Sequence, residues 1–145
     1  MEKVLILAGS KSDEDVARQA MDVLAAFSVP YRFEIASAHR NPEKVDRLVR
    51  ETTAQVFIAI AGMSAALPGV VAARTTKPVI GVPVNASLDG LDALMSVAQM
   101  PPNVPVAAVG IGMGKNAALL AVQMLALGDA ALAARLSEFK EKLKQ

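Results

Sequence analysis

Apolar runs recur along the chain, each closed by small or turn-forming residues. Val4 to Ala8 ends at Gly9-Ser10, and Val56 to Ile60, Pro78 to Val82 and Pro105 to Ile111 are similarly continuous. Such runs predict strands buried on both faces. Tyr31 to Ala36 differs: Tyr31, Phe33 and Ile35 alternate with Arg32 and Glu34, the pattern of a strand with one wetter face. Between the strands the period lengthens. Asp13 to Phe27 carries Val16, Ala20, Val23, Leu24 and Phe27 at helical spacing, with Ser12 as the expected N-cap and acidic residues in the first turn. Pro42 suits a first helical position and opens a helix to about Thr53. Further helices are expected over Ser64 to Arg74, Leu91 to Ala98, Asn116 to Leu127 and, strongly charged, Ala130 to Lys144. Continuous apolar strands alternating with helices imply a parallel central sheet covered on both faces, a three-layer αβα sandwich. No repeat, low-complexity tract or linker divides the chain, so residues 1–145 are read as one domain.

Two charge-free stretches, Thr52 to Ala73 and Ala93 to Gly114, are long enough to raise the question of a membrane span. Gly and Pro interrupt both, and both favour Ala over Leu, so they are read as buried structure in a soluble protein. The opening MEKVLILAGS has too short an apolar run for a signal peptide, and a cytoplasmic location is expected. Lys+Arg number 15 against 14 Asp+Glu, and aromatics make up 3%, which argues against nucleic-acid binding. With no Cys and one His, thiol catalysis, disulfides and a transition-metal cluster are excluded or poorly served.

In an open parallel sheet, ligands bind where strands end and helices begin. The exits here are Gly9 to Asp13, Ser37 to Arg40, Ala61 to Ser64, Pro83 to Gly90 and Gly110 to Asn116. Together they offer hydroxyls, a carboxylate, an imidazole, a guanidinium and backbone amides. GSKSD places Ser10, Ser12 and Asp13 at a helix start suited to an anion, without the spacing of a dinucleotide or P-loop motif. Taken alone it fits a capped helix equally well. Arg40 is a forked donor for phosphate or carboxylate, and equally a solvated helix-start arginine. His39, the only histidine, is a candidate acid/base because its ordinary pKa lies near neutrality.

Read in order, the motifs resemble the PurE family of purine biosynthesis. The chain carries GSKSD, SAHRNP, an AG-x-SAALPG turn, KPVIGVPV, LDGLDALMSVAQMPPNVPVA and KNAALLA, where the family has GSxSD, SAHRTP, a Gly-rich AHLPG turn, PVIGVPV, SxVQMPxGxPV and NAALLA. The resemblance implies a flavodoxin-like domain, a homo-octamer with shared sites, a last helix often packed on a neighbouring subunit, and no metal or organic cofactor. It also implies transfer of a carboxyl group to carbon 4 of an aminoimidazole ribonucleotide. His39 would be the general acid/base, Arg40 would meet the phosphate and Asp13 the ribose, with Ser10, Ser12, Ser37 and Ala38 beside them. Backbone amides around Ala61 and Gly62, with Ser64, would hold the migrating carboxylate, and Leu67 is a further substrate-binding candidate.

One departure divides the implied reactions. The mutase class, which isomerises the N5-carboxy ribonucleotide, has a second histidine in the AHLPG turn; Ala66 stands there in this chain, after Met63 and Ser64. The carboxylase class, which uses dissolved carbon dioxide, also lacks that histidine. Pro68, the PVIGVPV strand and the QMPPNVPV loop follow the mutase class, which is the leading expectation, with the carboxylase as its alternative. Other readings are a flavin or receiver domain of the same fold and a non-catalytic nucleotide-binding or scaffold member. A receiver needs paired acids where Leu7-Ala8-Gly9 stands, and a flavin site needs aromatics. Met95, Met100, Met113 and Met124 are expected to be packing fillers or site walls.

Overall fold

The computed structural model describes residues 1–145. Five parallel strands form one sheet: β1 (Val4–Ala8), β2 (Tyr31–Ile35), β3 (Val56–Gly62), β4 (Val79–Val84) and β5 (Ala107–Ala108), in the order β2-β1-β3-β4-β5. The helices are α1 (Glu14–Ala26), α2 (Pro42–Glu51), α3 (Leu67–Ala72), α4 (Leu91–Ala98), α5 (Gly114–Ala126) and α6 (Ala130–Lys142), with short 3-10 turns at Lys11–Asp13 and Leu88–Gly90. This is the flavodoxin-like doubly wound arrangement implied above.

Alternation along each strand sorts the core into two layers. Val4, Ile6 and Ala8 of β1, with Val56, Ile58 and Ile60 of β3, pack against Ala17, Ala20 and Leu24 of α1 and the apolar face of α5. Leu5 and Leu7, with Phe57, Ala59 and Ala61, face Val45, Leu48 and Val49 of α2, Leu67 and Val71 of α3, and Ala93 and Val97 of α4. Successive side chains of a strand point to opposite faces, so a strand buried on both must be apolar throughout. No helix is long and apolar enough to cross a membrane.

Some expected elements shrink. β5 holds its ladder only at Ile80 opposite Ala107 and Gly81 opposite Ala108, far short of Pro105 to Ile111. It is an edge strand, and Pro105 has no N–H to donate. α3 begins at Leu67 rather than Ser64, because Met63 turns into the left-handed region and Pro68 sits in the first turn. Ser12 is not the cap of the first helix: Ser10 caps the 3-10 turn, its Oγ accepting from the Ser12 amide at 3.4 Å and the Ser12 hydroxyl at 3.0 Å. Asn41 caps α2, accepting from the Lys44 amide at 3.2 Å. α6 turns Leu132 into the core and sets Phe139 edge-on to Phe27, with ring centroids 5.5 Å apart. Met100 and Met124 are packed as expected, whereas Met95 and Met113 lie exposed.

The start of α5 is pressed onto α1 through a glycine. A Cβ on Gly114 would sit 2.2 Å from the Val16 carbonyl oxygen, which is backbone and cannot step aside. Gly114→Ala is therefore expected to cost roughly 1–3 kcal/mol, the usual range for overpacking. Gly128, whose Cβ would meet nothing within 4 Å, is the control. Gly128→Ala should be stabilising by about 0.4–1 kcal/mol through the unfolded chain. Urea unfolding of both variants checks the contrast.

Candidate active site

From β1 the chain winds outward in both directions, to β2 on one side and β3 on the other, so the crevice at their carboxyl ends is bordered by loops diverging from each other. A cleft of about 580 Å³ lies there. It is lined by Gly9, Ser10, Ser12 and Asp13 after β1, by Ser37, Ala38, His39 and Arg40 after β2, by Ala61, Gly62, Met63, Ser64, Ala66 and Leu67 at the end of β3, and by Ala86 after β4. Every residue expected from the sequence to contribute to the site is among them. The fifth exit, Gly110 to Asn116, is not; its Ile111 packs on Gly90 and its Gly114 on α1.

Arg40 ties two of the exits together. Its Nη2 donates to the Gly9 carbonyl at 3.1 Å and its Nε to Ser37 Oγ at 3.3 Å. Ser37 Oγ also accepts the Arg40 amide at 3.1 Å, and the Asn41 amide closes on the Ser37 carbonyl at 2.9 Å. The SAHRN segment is thus a hydrogen-bonded turn, pinned by its own arginine to the β1 exit. The guanidinium stays exposed, with donors left over for an anion. His39, one position earlier, is carried to the cleft by the same turn and is exposed to it.

Asp13 is the one charged side chain buried in the molecule, at 7% exposure. Burial pushes its carboxyl above the usual value, while a hydrogen bond with the Ser10 backbone and the Arg40 charge draw it partly back. A buried carboxylate beside a guanidinium and small hydroxyls suits a polyol that carries an anion. No three His, Cys, Asp or Glu side chains gather in a way that would hold a metal ion.

Three wall residues escape a reading by residue type. Ala86 reaches the cleft only because β4 lies beside β3: a Cβ on Gly62 would be 3.2 Å from the Ala86 Cβ. Ala66 is a bare methyl before α3. Met63 is exposed with φ 53°, a backbone state costing an L-residue roughly 1–2 kcal/mol. No polar signal marks any of them.

The fold and the cleft define a candidate small-molecule site at the winding reversal of a flavodoxin-like sheet, where one imidazole, one guanidinium and a buried carboxyl line the same space. The chain belongs to the AIR carboxylase family, whose profile matches residues 3–145. It is 55% identical over 142 residues to the N5-carboxyaminoimidazole ribonucleotide mutase of Methanocaldococcus jannaschii, covering 98% of this chain and 90% of that one. It is 47% identical over 141 residues to a probable N5-carboxyaminoimidazole ribonucleotide mutase of Methanothermobacter thermautotrophicus, covering 95% of this chain but 42% of that longer protein. The crystal structure of Treponema denticola PurE superposes with a TM-score of 0.89 at 32% identity, covering 98% of this chain and 91% of that one.

The charge on Asp13 should be measurable as a stability cost. Its folded-state pKa is raised, so the folded chain holds the proton more tightly and stability falls as pH rises from the ordinary value of 3.8 through the raised one. Asp13→Asn removes that cost. The variant should melt above the parent at neutral pH, and the gap should close on acidification below 3.8. Thermal unfolding across that range tests it; a variant less stable at neutral pH would contradict the assignment.

Proposed function

We propose that the protein converts N5-carboxyaminoimidazole ribonucleotide to 4-carboxy-5-aminoimidazole ribonucleotide in purine biosynthesis. The observation that carries this reading is the convergence of His39, Arg40 and Asp13 in one cleft of a chain 55% identical to a protein of that name. Arg40 receives the phosphate, and Asp13 accepts from ribose hydroxyls, with Ser10, Ser12 and Ser37 completing the cradle. The aminoimidazole lies against Ala38, Ala61 and Leu67 beneath His39. The Gly62 backbone and Ser64 receive the carboxylate.

The chemistry needs little beyond position and one proton. As the N–C bond of the carbamate breaks, His39 gives its proton to the ring amine and carbon dioxide is freed. Carbon 4, made electron-rich by that amine, attacks the carbon dioxide; the neutral imidazole then removes the proton from carbon 4. The proton count closes, and the histidine ends as it began. Holding the fragments together substitutes for a covalent nucleophile.

Ala66 favours a second reading, direct carboxylation of aminoimidazole ribonucleotide by dissolved carbon dioxide. A methyl in that wall offers no second proton carrier, and the family description itself is AIR carboxylase. Purified protein given aminoimidazole ribonucleotide with bicarbonate and carbonic anhydrase, against the N5-carboxy substrate alone, separates the two. Preferential turnover of the N5-carboxy substrate is expected; efficient use of dissolved carbon dioxide would transfer the assignment.

The reading extends to a cytoplasmic homo-octamer of single-domain chains. Its support is the exposure of three large apolar side chains, Leu88 in the turn before α4 and Leu91 and Met95 one helical turn apart on α4, by 73%, 58% and 52%. Leu143, at 63% exposure, leaves the end of α6 open for a neighbouring subunit as well. Sedimentation should give eight times the monomer mass.

His39→Asn should lower kcat by about 10²–10⁴, the usual contribution of a positioned acid/base, with sedimentation unchanged. Arg40→Gln should raise KM by about 1.5–3 kcal/mol, the worth of a hydrogen bond to a charged group, and lower kcat as well, because Arg40 also pins the turn that carries His39. Steady-state kinetics on the N5-carboxy substrate distinguish the two roles, and an unchanged kcat in His39→Asn would remove the acid/base assignment.

A further inference from the structure

Met63 is misplaced by every ordinary criterion. It is a long apolar side chain at the cleft rim, 59% exposed, on a backbone with φ 53°. Only glycine takes that conformation freely, and Asn or Asp tolerate it through local hydrogen bonds that methionine lacks. Burial does not compensate the strain, because the side chain is not in the core. The turn cannot relax inward either. Gly62 is closely packed: a methyl there would sit 3.2 Å from the Ala86 Cβ and 3.3 Å from the Val84 carbonyl oxygen, tighter than ordinary contact. On the other side, the Ala66 amide closes on the Ser64 carbonyl at 2.7 Å. The thioether is therefore fixed at its base on the rim, while its own bonds rotate freely.

Resting on the mutase reading, we propose that Met63 is the flap that retains carbon dioxide: with substrate bound, its side chain folds over the mouth of the cleft and determines how much of the freed gas is recaptured. Carbon dioxide is small and uncharged, so neither Arg40 nor Ser64 can grip it as they would an anion. What keeps it beside carbon 4 is enclosure by apolar groups that exclude water. Ala66 and Leu67 line the wall from which that enclosure starts, and an unbranched, flexible Met63 is suited to complete it.

The test supplies N5-carboxy substrate labelled with carbon-13 in its carboxylate, in unlabelled bicarbonate with carbonic anhydrase, and measures label in the product. The parent protein should keep most of the label. Met63→Gly, which also relieves the backbone, should melt no lower than the parent yet exchange label roughly tenfold more, about 1.4 kcal/mol in the partition between recapture and escape. Met63→Leu, apolar and of similar bulk, should restore retention. Equal retention in parent and Met63→Gly, equal loss in both, or failure of Met63→Leu to rescue overturns the role of Met63 while leaving the mutase reading intact. A parent that does not convert the N5-carboxy substrate overturns the mutase reading, and the flap falls with it.

Discussion

β1 and β3 run side by side in parallel, Val4 opposite Val56 through Ala8 opposite Ile60, and β1 has no solvent-exposed residue. Two strands buried on both faces require a helical layer above and below. A parallel connection reaches its next strand through a right-handed crossover, so helices on opposite faces require the chain to wind away from β1 in opposite directions. The loops after β1 and β3 then diverge, and a crevice opens between them without any residue being chosen for it. The position of the cleft is therefore a consequence of core burial; only its chemistry is local.

That chemistry is held by an arrangement with an internal cost. Asp13 is buried where its charge is disfavoured, and Arg40 spends two donors on Gly9 and Ser37 to fix the turn bearing His39. On the proposed function one side chain has both a structural and a ligand-binding duty, and the turn that carries the imidazole is pinned by the guanidinium. A substitution at Arg40 would loosen the histidine as well as the anion site, so effects at these neighbours will not add.

The sequence was most legible where burial alone decided the outcome. β1 and α4 have the expected boundaries, Val4–Ala8 and Leu91–Ala98, because their apolar residues leave no alternative face to water. Legibility failed at β5, where an apolar run met the sheet edge and lost its pairing, and at Ser12, where a neighbouring serine took the cap. Polar members of the site could be found from residue type and strand exit together. Ala86 and Met63 lie in strand exits named from the sequence, but no polar group singled them out; strand order brings one into the wall and a left-handed backbone angle sets the other at the rim.

On the proposed function, with a methyl at position 66 and one histidine in the chain, the proton leaving carbon 4 and the proton reaching the ring amine use the same imidazole. The two transfers are then sequential, and carbon dioxide must remain free beside the ring between them. A site with two proton carriers can shorten that interval by overlapping the steps; this one has to outlast it. On that proposal enclosure becomes the compensating variable, supplied by the apolar Met63, Ala66 and Leu67 that stand beside Ser64. If Met63 closes the cleft as proposed, the small Ala66 and the strained, exposed Met63 belong to one solution: the space beside Ala66 is closed from the rim.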